Sequence, residues 1–229
     1  MEQLAGLSDR QGQRHHLPVE RSSCEGLRGR MKTPCKEICR FVASPVGKIE
    51  ISACDNGVHE IKLPPKPTLK AESRSETPQD PKEEWVTGPT SKPLEQAASW
   101  LRAYFWQPEA LDSMPLPDFH HPLFEQDSFT RRVLLALLER VKFGETVSYQ
   151  QLAQLVGRDQ AARAVGGAMR GNPIAIMIPC HRVILSSGKI GNYGGGTATK
   201  EWLLAHERRP KAQLSRPTGR GTAPTSSNP

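Results

Sequence analysis

A thiol and an imidazole stand side by side at Cys180 and His181, within the run Ile178-Pro179-Cys180-His181-Arg182-Val183. Thiolate is the reactive form of cysteine, and at an ordinary pKa near ~8.5 only a small share is ionised at neutral pH. A neighbouring base raises that share, so the pair has the makings of an activated nucleophile. The plainer reading is a buried thiol beside a surface imidazole. The preceding residues, Ile174-Ala175-Ile176-Met177-Ile178, are all apolar. They predict a buried strand, ended by Pro179 because proline lacks a backbone donor. Such a strand would hold Cys180 rigidly in a sheltered position.

Three further groups could take part in chemistry. The stretch 160–170 predicts a helix whose Ala161, Ala162, Ala164, Gly166, Gly167 and Ala168 are all small. Its glycines weaken a helix by about 1 kcal/mol each relative to alanine, so a compensating close approach is expected. That approach is either to another helix or to a nucleic-acid groove. Arg163 projects from it as a surface cation. Tyr149 reads as a core aromatic with its hydroxyl at the edge. The run Gly191-Asn192-Tyr193-Gly194-Gly195-Gly196 is too rich in glycine for a strand and predicts a loop of unusual backbone angles. Glu207, at the end of the last predicted helix, reads by default as an exposed carboxylate.

The elements that would position these groups fall into two parts. In the first, 47–53 and 58–63 alternate as strands about a hairpin signal at Asp55-Asn56-Gly57. Residues 64–92 are Pro-, Lys-, Glu- and Ser-rich and predict a flexible loop. A helix follows over 93–107, with Leu94, Ala97, Ala98, Leu101, Tyr104 and Phe105 on one face and Pro108 as its stop. The Pro-rich stretch 114–122 links to the second part. There Ser128 caps a helix over 129–141, lined by Val133, Leu134, Leu137, Leu138 and Val141. Ser148 caps a second helix through 156, Gly157-Arg158-Asp159 forms a turn, and the small-residue helix comes third. This is a helix-turn-helix outline. A hairpin near Ser186-Ser187-Gly188 and a helix over 198–206 complete it. The domain reading is a disordered extension over 1–33, an α/β part over 34–121, a second domain over 122–207 and a disordered basic tail over 208–229.

Composition limits the partners. The chain of 229 residues carries a formal net charge of +7, which fits a polyanionic partner. Part of that excess sits in the tail, at Arg208, Arg209, Lys211, Arg216 and Arg220. No apolar run is long enough to cross a bilayer and no signal-peptide core is seen, so a soluble intracellular protein is expected. Five cysteines without secretory context predict reduced thiols.

Taken together, 161–173, the Pro179-Cys180-His181-Arg182 tetrapeptide and 191–196 resemble the methylated-DNA–protein-cysteine methyltransferases, in their vertebrate form, which repair O6-alkylguanine. The resemblance runs from about Cys35 to Glu207. It implies an α/β fold: a small antiparallel sheet with helices, ribonuclease-H-like, then a winged-helix-like helix-turn-helix domain. It implies irreversible, single-use transfer of the alkyl group from O6-alkylguanine, and less readily O4-alkylthymine, in duplex DNA to Cys180. In that scheme Glu207 orients His181, which acts through a water on the thiol, and Asn172 positions Cys180. Tyr149 helps the departing guanine gain a proton. Arg163 enters the duplex from the minor groove in place of the flipped nucleotide, and Thr130, Gln150 and Ser186 meet the DNA backbone. Arg158 stands where close relatives carry asparagine. Val183, Tyr193 and Gly194 line the base pocket, with Gly194 where relatives often have serine. Cys35, Cys54, His59 and His120 match structural zinc ligands, with Cys39 and His121 as near neighbours. No cofactor for the chemistry, a monomer able to bind DNA cooperatively and a nuclear location are also implied. Two rivals remain open at this point: a DNA-binding regulator with an idle thiol, and a cysteine hydrolase.

Overall fold

The computed structural model describes residues 35–64 and 89–208. The predicted N-terminal extension, most of the 64–92 loop and nearly all of the basic tail fall outside them. The first part is built on three antiparallel strands, β1 (Ile38–Val42), β2 (Ile49–Cys54) and β3 (Gly57–Lys62), in that spatial order. Helix α1 (Lys92–Trp106) covers this sheet. The Ser91 hydroxyl accepts from Leu94 N at 3.4 Å and Pro93 sits in the first turn, where its missing donor costs nothing. Ile49, Ile51, Val58, Leu94 and Leu101 are wholly buried, each stabilising the fold by about 1.5–3 kcal/mol.

The 114–122 link does more than connect. Val58 N donates to Asp118 O and Val58 O accepts from His120 N, both at 2.8 Å, so the segment adds a short parallel bridge to β3. Gly57 makes this approach possible: a Cβ there would lie 2.6 Å from Asp118 O and 2.9 Å from His120 N. The tight hairpin turn thus brings His120 against β2.

The second part opens with the short α2 (Pro122–Glu125) and then α3 (Phe129–Arg140), capped by Ser128 as expected. Strand β4 (Val147–Ser148) leads into α4 (Tyr149–Leu155) through a capping box in which Ser148 and Gln151 bond each other's backbone amides, at 3.1 and 2.9 Å. Helix α5 (Ala162–Arg170) starts two residues later than its pattern suggests, because Ala161 N closes a turn onto Arg158 O. After a single 3-10 turn over Cys180–Arg182, β5 (Val183–Ile184) pairs with β4 in parallel, and α6 (Thr197–Arg208) is the last described element. The hairpin expected near Ser186 is a tight turn, with Gly188 N bonded to Leu185 O and Leu185 N to Lys189 O.

One expectation fails. The apolar run before Cys180 is not a strand: Ile178 N bonds back to Ile174 O at 3.0 Å and Met177 N to Ala175 O at 2.9 Å, making a buried turn. Ile176 adopts φ 70° within it, a left-handed conformation that β-branched residues rarely take. Pro173 and Pro179 remove donors at either end, and only Ile174 has a sheet neighbour, a single bridge to Ile61. Without a ladder partner the run folds onto itself.

Candidate active site

Cys180 is buried at the exit of that turn, with its sulfur 3.1 Å from Asn172 Nδ2. The same amide nitrogen donates to Ile178 O at 2.9 Å, and Asn172 Oδ1 accepts from Ile174 N at 3.1 Å. Asn172 therefore fixes both the turn and the thiol. Burial pushes the Cys180 thiol above its ordinary pKa, against the opposing pull of the Asn172 bond and the Lys200 ammonium. The resting thiol is protonated, so the charged sulfur expected from the sequence requires a base.

His181 faces away from solvent entirely. Its Nε2 lies 2.7 Å from Glu207 Oε1, while Nδ1 is buried with no hydrogen-bond partner among the described residues. Far from being exposed, Glu207 is a buried carboxylate held from four directions. Its Oε1 accepts from Tyr104 at 2.7 Å and from Arg182 at 3.0 Å, and its Oε2 accepts from Arg182 Nε at 2.8 Å and Gly144 N at 3.1 Å. Burial opposes its ionisation, but the hydrogen bonds from His181 and Arg182, with the Arg182 charge, outweigh burial and hold the carboxyl below the usual range. Since an ionised carboxylate can only accept, His181 Nε2 carries the proton and Nδ1 is the free base. Burial lowers the imidazole's pKa in spite of Glu207, which keeps it neutral.

Around the thiol lie the other pocket residues. The Tyr193 hydroxyl is buried beside the Cys180 sulfur, where its hydrogen bonding to the thiol favours the anion. Tyr149, half-buried at the start of α4, has its pKa raised by burial and by Cys180. Gly191 packs close to it, a Cβ there falling 3.3 Å from the Tyr149 hydroxyl. Val183 is buried in β5, whereas Gly194 is exposed with open space about it. Of the residues predicted to meet DNA, Arg158, Arg163 and Ser186 are exposed and Thr130 is half-buried on the first turn of α3. The Gln150 side chain is engaged internally, donating to the Asp159 carbonyl across the turn between α4 and α5.

A second cysteine–histidine group sits in the first part. The ligand atoms of Cys35, Cys54, His59 and His120 all lie within 4.8 Å of one another. Cys35 Sγ is 3.5 Å from His59 Nε2, Cys54 Sγ 3.2 Å from His120 Nδ1, and the two imidazoles approach to 3.3 Å through those same nitrogens. Two sulfurs and two nitrogens at these separations fit a tetrahedral ion bonded at about 2.0–2.3 Å. His59 Nδ1 turns toward Glu37 Oε1 at 3.7 Å, the outer carboxylate that such a ligand commonly has. The neighbours are excluded: His121 Nδ1 accepts from Leu123 N at the start of α2, and Cys39 is disulfide-bonded. That bond departs from the expectation of reduced thiols throughout, although Cys35, Cys54 and Cys180 are free.

Residues 38–117 match the ribonuclease-like domain, and residues 128–209 the DNA binding domain, of 6-O-methylguanine DNA methyltransferase. The human methylated-DNA–protein-cysteine methyltransferase is 55% identical over 177 residues, covering 77% of this chain and 83% of its own length. This chain belongs to the methylated-DNA–protein-cysteine methyltransferase family. The mouse methyltransferase is 54% identical over 186 residues, 80% of this chain and 87% of its own. A crystal structure of Mycobacterium tuberculosis OGT in complex with DNA superposes with a TM-score of 0.55 at 31% identity, covering 77% of this chain and 98% of that one.

Within this methyltransferase fold, three residues make contacts that the sequence reading does not assign; for Lys200 that reading offers support of the 191–196 loop or a solvent-facing side chain. Arg182 was visible only as part of the tetrapeptide, yet its guanidinium is buried, forked onto Glu207 and bonded to Val141 O at 2.8 Å. Lys200 is fully buried and donates to Val183 O at 2.6 Å. Tyr104 belongs to the apolar stripe of α1, and nothing in that periodicity signals that its hydroxyl meets a carboxylate. For Arg182 a signal existed: a cation adjoining a buried nucleophile and base, in an apolar stretch, needs a buried anion.

Proposed function

We propose that this methyltransferase repairs O6-alkylguanine in duplex DNA by moving the alkyl group to Cys180 in a single, irreversible step. The observation that carries this reading is the Asn172–Cys180 bond beside a neutral His181 whose free Nδ1 is backed by Glu207. His181 Nδ1 takes the thiol proton through a bridging water. The sulfur lone pair then forms a bond to the alkyl carbon as that carbon's bond to guanine O6 breaks. The departing electron pair stays on the guanine, which is neutralised by a proton, with the Tyr149 hydroxyl as donor. The product is a thioether with no easy hydrolytic route back, so each molecule acts once. O4-alkylthymine is a poorer substrate of the same site.

A base within a stacked duplex cannot reach a buried sulfur, so the nucleotide must be extruded. Arg163, exposed at the start of the small-residue helix α5, is assigned to fill the space it leaves, and Thr130, Gln150, Arg158 and Ser186 to the flanking backbone. Val183, Tyr193 and Gly194 border the pocket. Cys35, Cys54, His59 and His120 hold a structural zinc, which ties the 118–120 segment to the sheet and takes no part in alkyl transfer. The protein acts as a monomer, able to bind DNA cooperatively, and resides in the nucleus.

Intact-mass analysis after incubation with a duplex containing O6-methylguanine tests the central claim. One added methyl per molecule is expected, reaching a plateau near one with excess substrate and absent from Cys180→Ala. Equal labelling of both proteins, or continued turnover, overturns it.

A further inference from the structure

Helix α1 belongs to the first domain, yet Tyr104 on it is gripped twice by consecutive residues of α6. Its hydroxyl donates to Glu207 Oε1 at 2.7 Å, and its carbonyl oxygen accepts from His206 Nε2 at 2.8 Å. The second contact has a local cause. In a continuing helix the Tyr104 carbonyl would accept from the amide four residues on, but that residue is Pro108, which has none. His206 satisfies the orphan acceptor instead. The ring of Tyr104 is fully buried, stacked on Trp100 and set edge-on to Phe105 and Phe143. Ring, hydroxyl and carbonyl are therefore all fixed.

The hydroxyl shares Oε1 with His181 Nε2 and lies 3.4 Å from that nitrogen. With the ionised carboxylate accepting from it, the phenol proton points at Oε1. It withdraws charge from the oxygen that otherwise stabilises a protonated imidazole. We propose that Tyr104 is a positioning residue for alkyl transfer: through Glu207 it fixes His181 in the tautomer with the proton on Nε2, and its hydroxyl takes up part of the Oε1 charge that would otherwise favour a protonated imidazole. This rests on the transfer chemistry assigned above to Cys180. The other groups that face the imidazole are Glu207 and Lys200 from α6, Arg182 on its own segment, and Tyr193 from the glycine-rich loop. Arg182 and Lys200 act in the same direction as Tyr104, and Glu207 against it.

The decisive variant is Tyr104→Phe, which deletes one oxygen and keeps the packed ring. Single-turnover methyl transfer to an O6-methylguanine duplex is followed from pH 5.5 to 9, alongside melting temperature and affinity for undamaged duplex. Transfer at neutral pH is expected to slow by about tenfold, matching the loss of one charge-assisted hydrogen bond. Its acid limb should move up by about 0.5–1 pH unit, because a less neutralised Glu207 makes His181 more basic. Affinity for undamaged DNA should not change. A slower rate with an unmoved acid limb makes Tyr104 merely structural and overturns the proposal, as does an unchanged rate. If wild type itself transfers no methyl group, the assigned function fails rather than this inference. Nitrogen-15 shifts of His181 in the wild-type protein test the tautomer whether or not the variant folds: a proton on Nε2 and a bare Nδ1 are expected, and the reverse tautomer sinks the idea.

Discussion

The molecule uses cysteine and histidine twice, and the two places differ in what surrounds the sulfur. In the first domain two thiols and two imidazoles converge on one point, all four ligand atoms lying within 4.8 Å of one another. In the second a single thiol meets an amide nitrogen, and the imidazole beside it turns its proton onto a carboxylate. Convergent lone pairs suit a cation. A lone sulfur with a base fixed at one remove suits displacement chemistry. Residue type alone does not separate the two; the identity of the third partner does.

Exchanging sulfur for oxygen at each place should separate them most sharply. Cys180→Ser is expected to reduce methyl transfer to background while leaving bound zinc and melting temperature near wild type. Cys54→Ser should lose zinc, measured by elemental analysis, and melt earlier, yet keep one reactive sulfur per folded molecule. If Cys54→Ser abolished transfer in fully folded protein, the division of labour would be wrong.

The next effect is on stability. Arg182→Met strips Glu207 of its forked partner and leaves a buried carboxylate short of donors. Urea unfolding should show a loss of about 3–5 kcal/mol, the usual cost of breaking one side of a buried ion pair. Near the cysteine–histidine cluster the corresponding lesion is Gly57→Ala, whose methyl would collide with Asp118 O and His120 N. A loss of about 1–3 kcal/mol is expected from that overpacking, with transfer per folded molecule unchanged.

Acid should act on both ends, more gently. Burial lowers His59 from 6.5 to about 4 and lowers His181 as well, so both imidazoles stay neutral in the fold while the unfolded chain takes up protons. Between pH 6.5 and about 4 the unfolded state binds more protons, and the stability of the metal-free protein should fall as pH is lowered through this window. Thermal melts in chelator across that range check the sign. A melting temperature that rose toward pH 4.5 would contradict it.

How much of this was legible in the residues depends on the scale of the interaction. Helices α1, α3 and α4 announced themselves through spacing, stops or caps, because those signals are local. The cysteine–histidine cluster of the first domain, and Glu207 and Asn172 beside the Cys180–His181 pair, came from resemblance; their spacings alone do not bring them together. The run at 174–178 was misread because hydrophobicity reports burial and not ladder partners, and this segment has burial without a ladder. The contacts of Arg182, Lys200 and Tyr104 escape the sequence for a common reason. Each makes its decisive contact across the fold, to an atom on α6 or β5, and a buried polar tip leaves no periodic trace.

Ile176 carries one more consequence. A left-handed backbone costs a branched residue about 1–2 kcal/mol, and glycine would relieve it. Yet its side chain is wholly enclosed, which is worth more than the torsional penalty. The bend that aims the sulfur is thus clamped by oil rather than by permissive backbone, so its sharpness should soften whenever the interior loosens, well before the chain unfolds.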